Sequence, residues 1–247
     1  MLNNKTLLTA AMIAAFAVNA VAGTFTSGFE APDYSNGATL TNLPGWSPLA
    51  EGFAVGTIQS TTTYSGSQAV TLTKPANSPG STGAMYTHTD MISTPENPVI
   101  SIEWYMNVQP GSQKSDVWGV SSFWGPHVER FTLGVYNNDK LMVRNGNIGT
   151  VVTNTLVTRG AWNKYRMDLN YQTDKAKVYF NDAYIGEWAT TGGPDEHTDT
   201  VLFNRFGGTD AAIYDGLTVT GATPVPEPAT MTGAALGLLF LARRKRK

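Results

Sequence analysis

The sequence predicts an all-β protein built as a two-sheet antiparallel β-sandwich. Three observations predict it. The central part of the chain is rich in Thr, Gly, Tyr and Val, with few long runs of good helix formers. Short segments of alternating apolar and polar residues recur between turn signals. The clearest is Trp162 to Asn170, where Tyr165, Met167 and Leu169 face one side and Lys164, Arg166 and Asp168 the other.

Taken in chain order, Lys5, the apolar stretch Leu7 to Val18 and the small residues Ala20-Val21-Ala22 read as a secretory signal peptide over residues 1–22, an N-terminal signal helix removed on export by signal peptidase. Strands are expected at Thr24 to Phe29, Gln68 to Thr73, Val99 to Val108 and Trp118 to Phe123. A hairpin follows over Phe131 to Arg144, turning at Asn137-Asn138-Asp139. After Trp162 to Asn170, the alternating run Lys175 to Phe180 turns at Asn181-Asp182 and returns over Ala183 to Trp188, because Asn and Asp tolerate positive φ. Val201 to Phe206 and Ile213 to Thr220 complete a set of about ten to thirteen strands, within the reach of two packed sheets. Pro75 to Gly83 and Thr190 to Thr200 read as long loops. The β-sandwich domain is assigned to residues 23–220, and a Pro-rich, semi-rigid linker to 221–228. Met231 to Ala242 forms a short hydrophobic helix, shorter than the roughly 20 residues of an ordinary membrane span. Arg243, Arg244, Lys245, Arg246 and Lys247 behind it form a basic stop expected on the cytoplasmic side.

Composition narrows the function. Lys5 and the five tail bases account for six of the 17 Lys and Arg, which leaves eleven against 19 acidic residues, a charge of about −8 on the exported part. A nucleic-acid role needs a basic footprint, and that balance excludes it. The chain has no cysteine, so an exported fold must rest on its core alone. His88, His127 and His197 are far apart and lack zinc-ligand spacing.

Val225-Pro226-Glu227-Pro228-Ala229-Thr230, then the short transmembrane segment, then Arg243 to Lys247 closely resemble the PEP-CTERM sorting signal over residues 225–247. The resemblance implies an exosortase as processing partner, an exopolysaccharide-producing Gram-negative host, and a protein transiently anchored in the inner membrane on its way to the cell surface. Glu227 and its flanking prolines would be that enzyme's substrate. Phe29-Glu30, Gly45-Trp46, Ser65 to Val70, the strands from Trp162 to Asn181, and Tyr214-Asp215-Gly216-Leu217 resemble the concanavalin-A-like or laminin-G-like jelly roll. In jelly rolls of this layout an early Glu and a late Asp bind a structural calcium, which implies Glu30 and Asp215 here, with Asp33 or Asp210 as further ligands. Calcium takes several hard oxygens at about 2.3–2.6 Å, and two carboxylates plus carbonyls and water suffice.

Catalysis has little support. Sandwich glycosidases need two carboxyl groups flanking the scissile bond, and no Glu-x-Asp-x-x-Glu string occurs. Glu103 stands alone, and Asp195-Glu196 lies in an expected loop. Sugar binding needs exposed aromatic rings. Trp118 and Trp124 share a face if their strand runs unbroken, with His127 and Arg130 as polar neighbours; core packing is the competing reading. Trp46, Trp162 and Trp188 read as core or rim anchors. The expected function is a non-catalytic surface or matrix module that engages exopolysaccharide. A polysaccharide-active enzyme, glycosidase or lyase, and a structural biofilm component are the alternatives.

Overall fold

The computed structural model describes residues 22–48, 55–73, 82–89, 91–95, 97–111, 117–124, 128–145, 149–191, 198–205 and 211–222. They belong to one unit, Ala22–Ala222. The expected signal helix, the segment 231–242 and the basic tail lie outside the described residues, among which no helix is long and apolar enough to cross a membrane.

Among the described residues fifteen strands form two antiparallel sheets. Sheet A holds β13 (Ala183–Ala189), β12 (Lys175–Phe180), β11 (Asn163–Asn170), β6 (Val99–Val108), β15 (Ala212–Ala222), β4 (Ala69–Thr73) and β3 (Val55–Gln59), in that order, and β1 (Ala22–Ser27) also pairs with β15. Sheet B runs β10 (Gly149–Leu156), β9 (Lys140–Asn145), β8 (Val128–Tyr136), β7 (Val117–Trp124), β14 (Thr198–Arg205), β5 (Thr82–His88) and β2 (Trp46–Pro48).

The alternation of β11 lands as its pattern dictates: Tyr165, Met167 and Leu169 are buried, whereas Lys164, Arg166 and Asp168 are not. Between the sheets, Ile100, Ile102, Trp104, Val178 and Val219 from sheet A join Trp118, Val120, Phe131, Leu133 and Val143 from sheet B in one apolar core. Trp104 stacks on Tyr165 at 5.5 Å, and Trp46 is buried against Phe29. Burying a large apolar side chain is worth about 1.5–3 kcal/mol, so the core holds the two sheets together without disulfides.

Four elements depart from the sequence reading. β2, β3, β5 and β10 lie where no strand is expected, with β5 entering the expected loop Pro75 to Gly83. β14 likewise begins inside the expected loop Thr190 to Thr200. β10 escapes pattern reading because it is wet on both faces, with Val151, Val152 and Leu156 exposed on an edge strand. Alternation marks only strands that have one buried face.

A junction in sheet A prepares the candidate site. β15 pairs with β4 over Ala212 to Tyr214 and with β1 over Leu217 to Ala222, both along one edge. Between these stretches its pairing with β6 shifts register at Asp215 to Thr218. Tyr214 and Leu217 both face the core three residues apart, which a regular strand forbids and a bulge allows. The chain leaving β1 and the loop entering β4 therefore converge on Asp215.

Candidate functional site

Glu30 and Asp215 grip the same loop. The loop runs between β3 and β4. Asp215 Oδ2 accepts from the backbone N–H of Tyr64 at 2.9 Å and of Ser65 at 3.0 Å, and Oδ1 accepts from Gly216 N–H at 2.7 Å. Glu30 Oε1 accepts from Ser67 N–H and Gln68 N–H, each at 2.9 Å, while Oε2 accepts from Ser67 Oγ at 2.7 Å. The preceding residue, Phe29, is buried with a φ of 58°, a strained conformation for an aromatic residue. The Gln68 amide, turned so that its nitrogen donates, reaches Phe29 O and Tyr34 O at 2.8 Å each and holds that turn.

The two carboxyls respond oppositely. The Ser67 hydroxyl pulls Glu30 below its usual range, against a smaller upward push from burial. Burial pushes Asp215 up, its three backbone donors oppose the rise, and the charge on Glu30 adds to it. Counting lone pairs, Glu30 Oε1 and Asp215 Oδ2 are filled by two N–H donors each, whereas Glu30 Oε2 and Asp215 Oδ1 each keep one. A calcium ion fits that donor set chemically. Among the described residues no group of three or more acidic or histidine side chains gathers, so further ligands would be carbonyls, hydroxyls or water. Asp33 is exposed and makes no part of this clamp, and Asp210 lies outside the described residues.

The clamped loop carries an aromatic. Tyr64, 47% exposed, stacks on Tyr105 of β6 with ring centroids 3.5 Å apart and 14° between planes, and Trp162 meets it edge-on at 6.0 Å. Burial pushes the Tyr105 phenol up to about 12, with the Tyr64 phenol the next cause. Tyr105 shares the outer face of sheet A with a polar ladder. Lys164 pairs with Asp182 at 2.9 Å and Glu103 at 3.2 Å, and these contacts raise its pKa. Arg166 donates twice to Asp168, at 2.9 and 2.7 Å, and its guanidinium lies 4.2 Å from the Tyr179 ring centroid.

The outer face of sheet B is different. Core residues Trp118, Val120, Phe131 and Leu133 point inward, and Ser121 and Thr132 point out. The β7–β8 pairing slips between Ser122 and Phe123, which leaves Arg130 as the extra residue of a bulge and turns Glu129 onto the face of Thr132. There Glu129 makes a two-point ion pair with Arg144, and Thr132 Oγ1 donates to it at 2.7 Å. Across β7, Phe123 pairs with Glu129 on one side and with Asp199 of β14 on the other, and the Asp199 side chain lies outside the described residues.

The proposed tryptophan platform is corrected by this geometry. Trp118 is fully buried, with its indole nitrogen unpartnered and the Arg159 guanidinium 4.6 Å from its ring, so it has no face to offer a sugar. Arg130 is also buried, lying 4.5 Å over the Tyr171 ring and donating to Thr191 O. The Trp124 side chain and His127 lie outside the described residues. Sequence reasoning missed Tyr64, Tyr105, Glu129 and Arg144.

Residues 224–247 match the model of the PEP-CTERM protein-sorting motif. No curated protein matches the chain. Among solved structures, the cellulose-induced protein Cip1 superposes with a TM-score of 0.58 at 12% identity, covering 82% of this chain and 100% of its own. A conserved carbohydrate esterase from the Shiga toxin-encoding bacteriophage phi24B gives 0.58 at 13%, covering 83% and 100%. A sialidase gives 0.60 at 9%, covering 83% of this chain and only 19% of the sialidase. At these identities the likeness is one of fold. The chain thus carries a PEP-CTERM protein-sorting motif at residues 224–247 behind an antiparallel jelly-roll β-sandwich.

Proposed function

We propose that the protein is an exported, exosortase-processed module of the Gram-negative cell surface that holds exopolysaccharide without cleaving it. The observation that carries this reading is the stacked Tyr64–Tyr105 pair with Trp162 on the outer face of sheet A. A pyranose presents a C–H face to an aromatic ring, and Tyr64 is about half-exposed to solvent. Polar groups at the edge, Lys164 and Glu103, suit the sugar's hydroxyls. Two of the fold neighbours, a carbohydrate esterase and a sialidase, support carbohydrate as the ligand class. Glu129 is held in a two-point ion pair with Arg144 that occupies both of its oxygens.

On a glycan array the purified protein is expected to bind selectively, and Tyr64→Ala to weaken that binding about tenfold or more, as loss of an aromatic anchor does. Selective binding that survives Tyr64→Ala would place the ligand elsewhere. A blank array with a well-folded protein would favour a structural biofilm component. Release of shortened oligosaccharides would restore the enzyme alternative.

We propose further that a structural calcium sits between Glu30 and Asp215, supported by their shared loop and their remaining lone pairs. It would fix the loop that carries Tyr64.

The sorting assignment has its own test. Replacing Pro226, Glu227 and Pro228 together with alanine is expected to leave export intact and stop processing. A normally trimmed product in the native host would refute exosortase as the partner.

A further inference from the structure

The outer face of sheet A continues past the Tyr64 platform. Along β6 it runs from Tyr105 to Val99, about 20 Å at strand rise, a length that an oligosaccharide of several sugars spans. At the far end lies a groove of about 330 Å³, lined by Val99, Asp168, Lys175, Lys177, Tyr179 and Glu187 among others.

The groove's lining carries two acids and two lysines, and the Arg166 guanidinium bonded to Asp168 adds a third cation from beside it. Lys177 on β12 stands opposite Asp168 of β11 on one side and Glu187 of β13 on the other. Either acid could have neutralised it, but both are engaged elsewhere. Asp168 takes the two donors of Arg166 and the hydroxyl of Ser101 at 2.7 Å. Glu187 takes Lys175 at 2.8 Å, a contact that lowers the one pKa and raises the other. Lys177 is exposed and forms no close ion pair among the described residues, acting on Glu187 only through space. With Arg166 pairing Asp168 from outside the lining and Lys175 pairing Glu187, Lys177 is the cation with no close partner among the described residues, beside the Tyr179 ring.

We propose that this groove selects glycans whose sugars carry carboxylates, with Lys177 as the group that reads the charge. The inference rests on the reading of the same face as a glycan surface. An ammonium at the rim of a solvated groove gives discrimination by charge and modest affinity. Tyr64 and Trp162 supply stacking that is indifferent to charge, so the two ends of the face divide the work.

A matched pair of probes tests it, β-1,4-linked hexaglucuronate and cellohexaose, which share a backbone and differ at C6. Titration into the full chain at low salt is expected to show tighter binding of the hexaglucuronate. Lys177→Gln should weaken that ligand about fivefold and leave cellohexaose unchanged. Salt at about 0.5 M should erase the preference, since exposed charges are screened. Circular dichroism of the variant should match the parent, because the Lys177 side chain is exposed. Equal affinity for both probes, or an equal effect of Lys177→Gln on both, overturns the inference while Tyr64-dependent binding keeps the face itself. Binding of either probe that ignores Tyr64→Ala, or binding of neither, overturns the reading of the face together with the inference.

Discussion

Gly134→Ala is expected to destabilise the sandwich by about 3 kcal/mol or more, and Gly119→Ala by a similar amount. These two glycines face each other across β7 and β8. A Cβ at Gly134 would lie 2.2 Å from Trp118 O, and one at Gly119 would lie 2.4 Å from Leu133 O and 2.7 Å from Gly134 Cα. The obstacles are backbone atoms, which cannot swing aside as a side-chain tip can. The strands are also tied from below. Tyr214 of β15 crosses the core, and its hydroxyl accepts from Gly119 N–H and donates to Gly119 O, each at 3.1 Å. Relief by separating β7 from β8 would break that link between the sheets and disturb Trp118 beside it. In urea the midpoint should fall by about 1 M, given a slope of about 3 kcal/mol/M. Gly28→Ala is the control, because its Cβ would make only an ordinary 3.6 Å contact with Glu30. If Gly134→Ala melts like the parent, the close approach of these strands is wrong.

Legibility in the sequence followed burial. β11 and β12 could be read because each alternates, and β13, which has no buried residue, through the turn at Asn181-Asp182, which has the positive φ that those residues tolerate. The convergence of Glu30 and Asp215 came through the family resemblance, and its physical cause is the junction where β4 gives way to β1 along β15. Pattern alone could not supply that, since non-local pairing leaves no local mark. The tryptophan platform failed for an identifiable reason. It took the face of Trp118 for an outer one, whereas Trp118 points into the core; β7 runs unbroken, and the slip opposite Ser122 and Phe123 falls on β8. A bulge of one residue exchanges the faces on either side of it. That slip turned Glu129 outward to meet Arg144, fifteen residues away, and left Arg130 inside. Tyr64 was hidden differently. It sits in a run of Ser, Thr and Gly that reads as a turn, and only the Asp215 clamp gives that turn a fixed place over Tyr105.

Calcium at a hundredfold excess over its Kd is expected to stabilise the protein by about 2.7 kcal/mol, raising Tm by about 5–10 °C for a domain of this size. Asp215→Asn should abolish the increment. The clamp explains why the effect should be large. Two carboxylates hold one loop with N–H and O–H donors alone, and the raised Asp215 pKa records that its charge is buried and also faces Glu30. A divalent ion bound there would supply the missing positive charge. The pH dependence separates the groups. Without the ion, Asp215 binds its proton more tightly folded than unfolded, so its contribution to stability grows as pH falls through its raised folded pKa toward the unfolded value of about 3.9. Glu30 runs the other way: its contribution is present above the unfolded value of about 4.3 and is lost as pH falls through the lowered folded pKa. Calcium needs both groups ionised, so protons compete with it, and its increment should be full at pH 7 and shrink first as Asp215 protonates. Melting curves from pH 4 to 8, in EDTA and in calcium, measure this directly. Identical curves at pH 7, or an increment that survives Asp215→Asn, would remove the ion and leave Tyr64 held by hydrogen bonds alone.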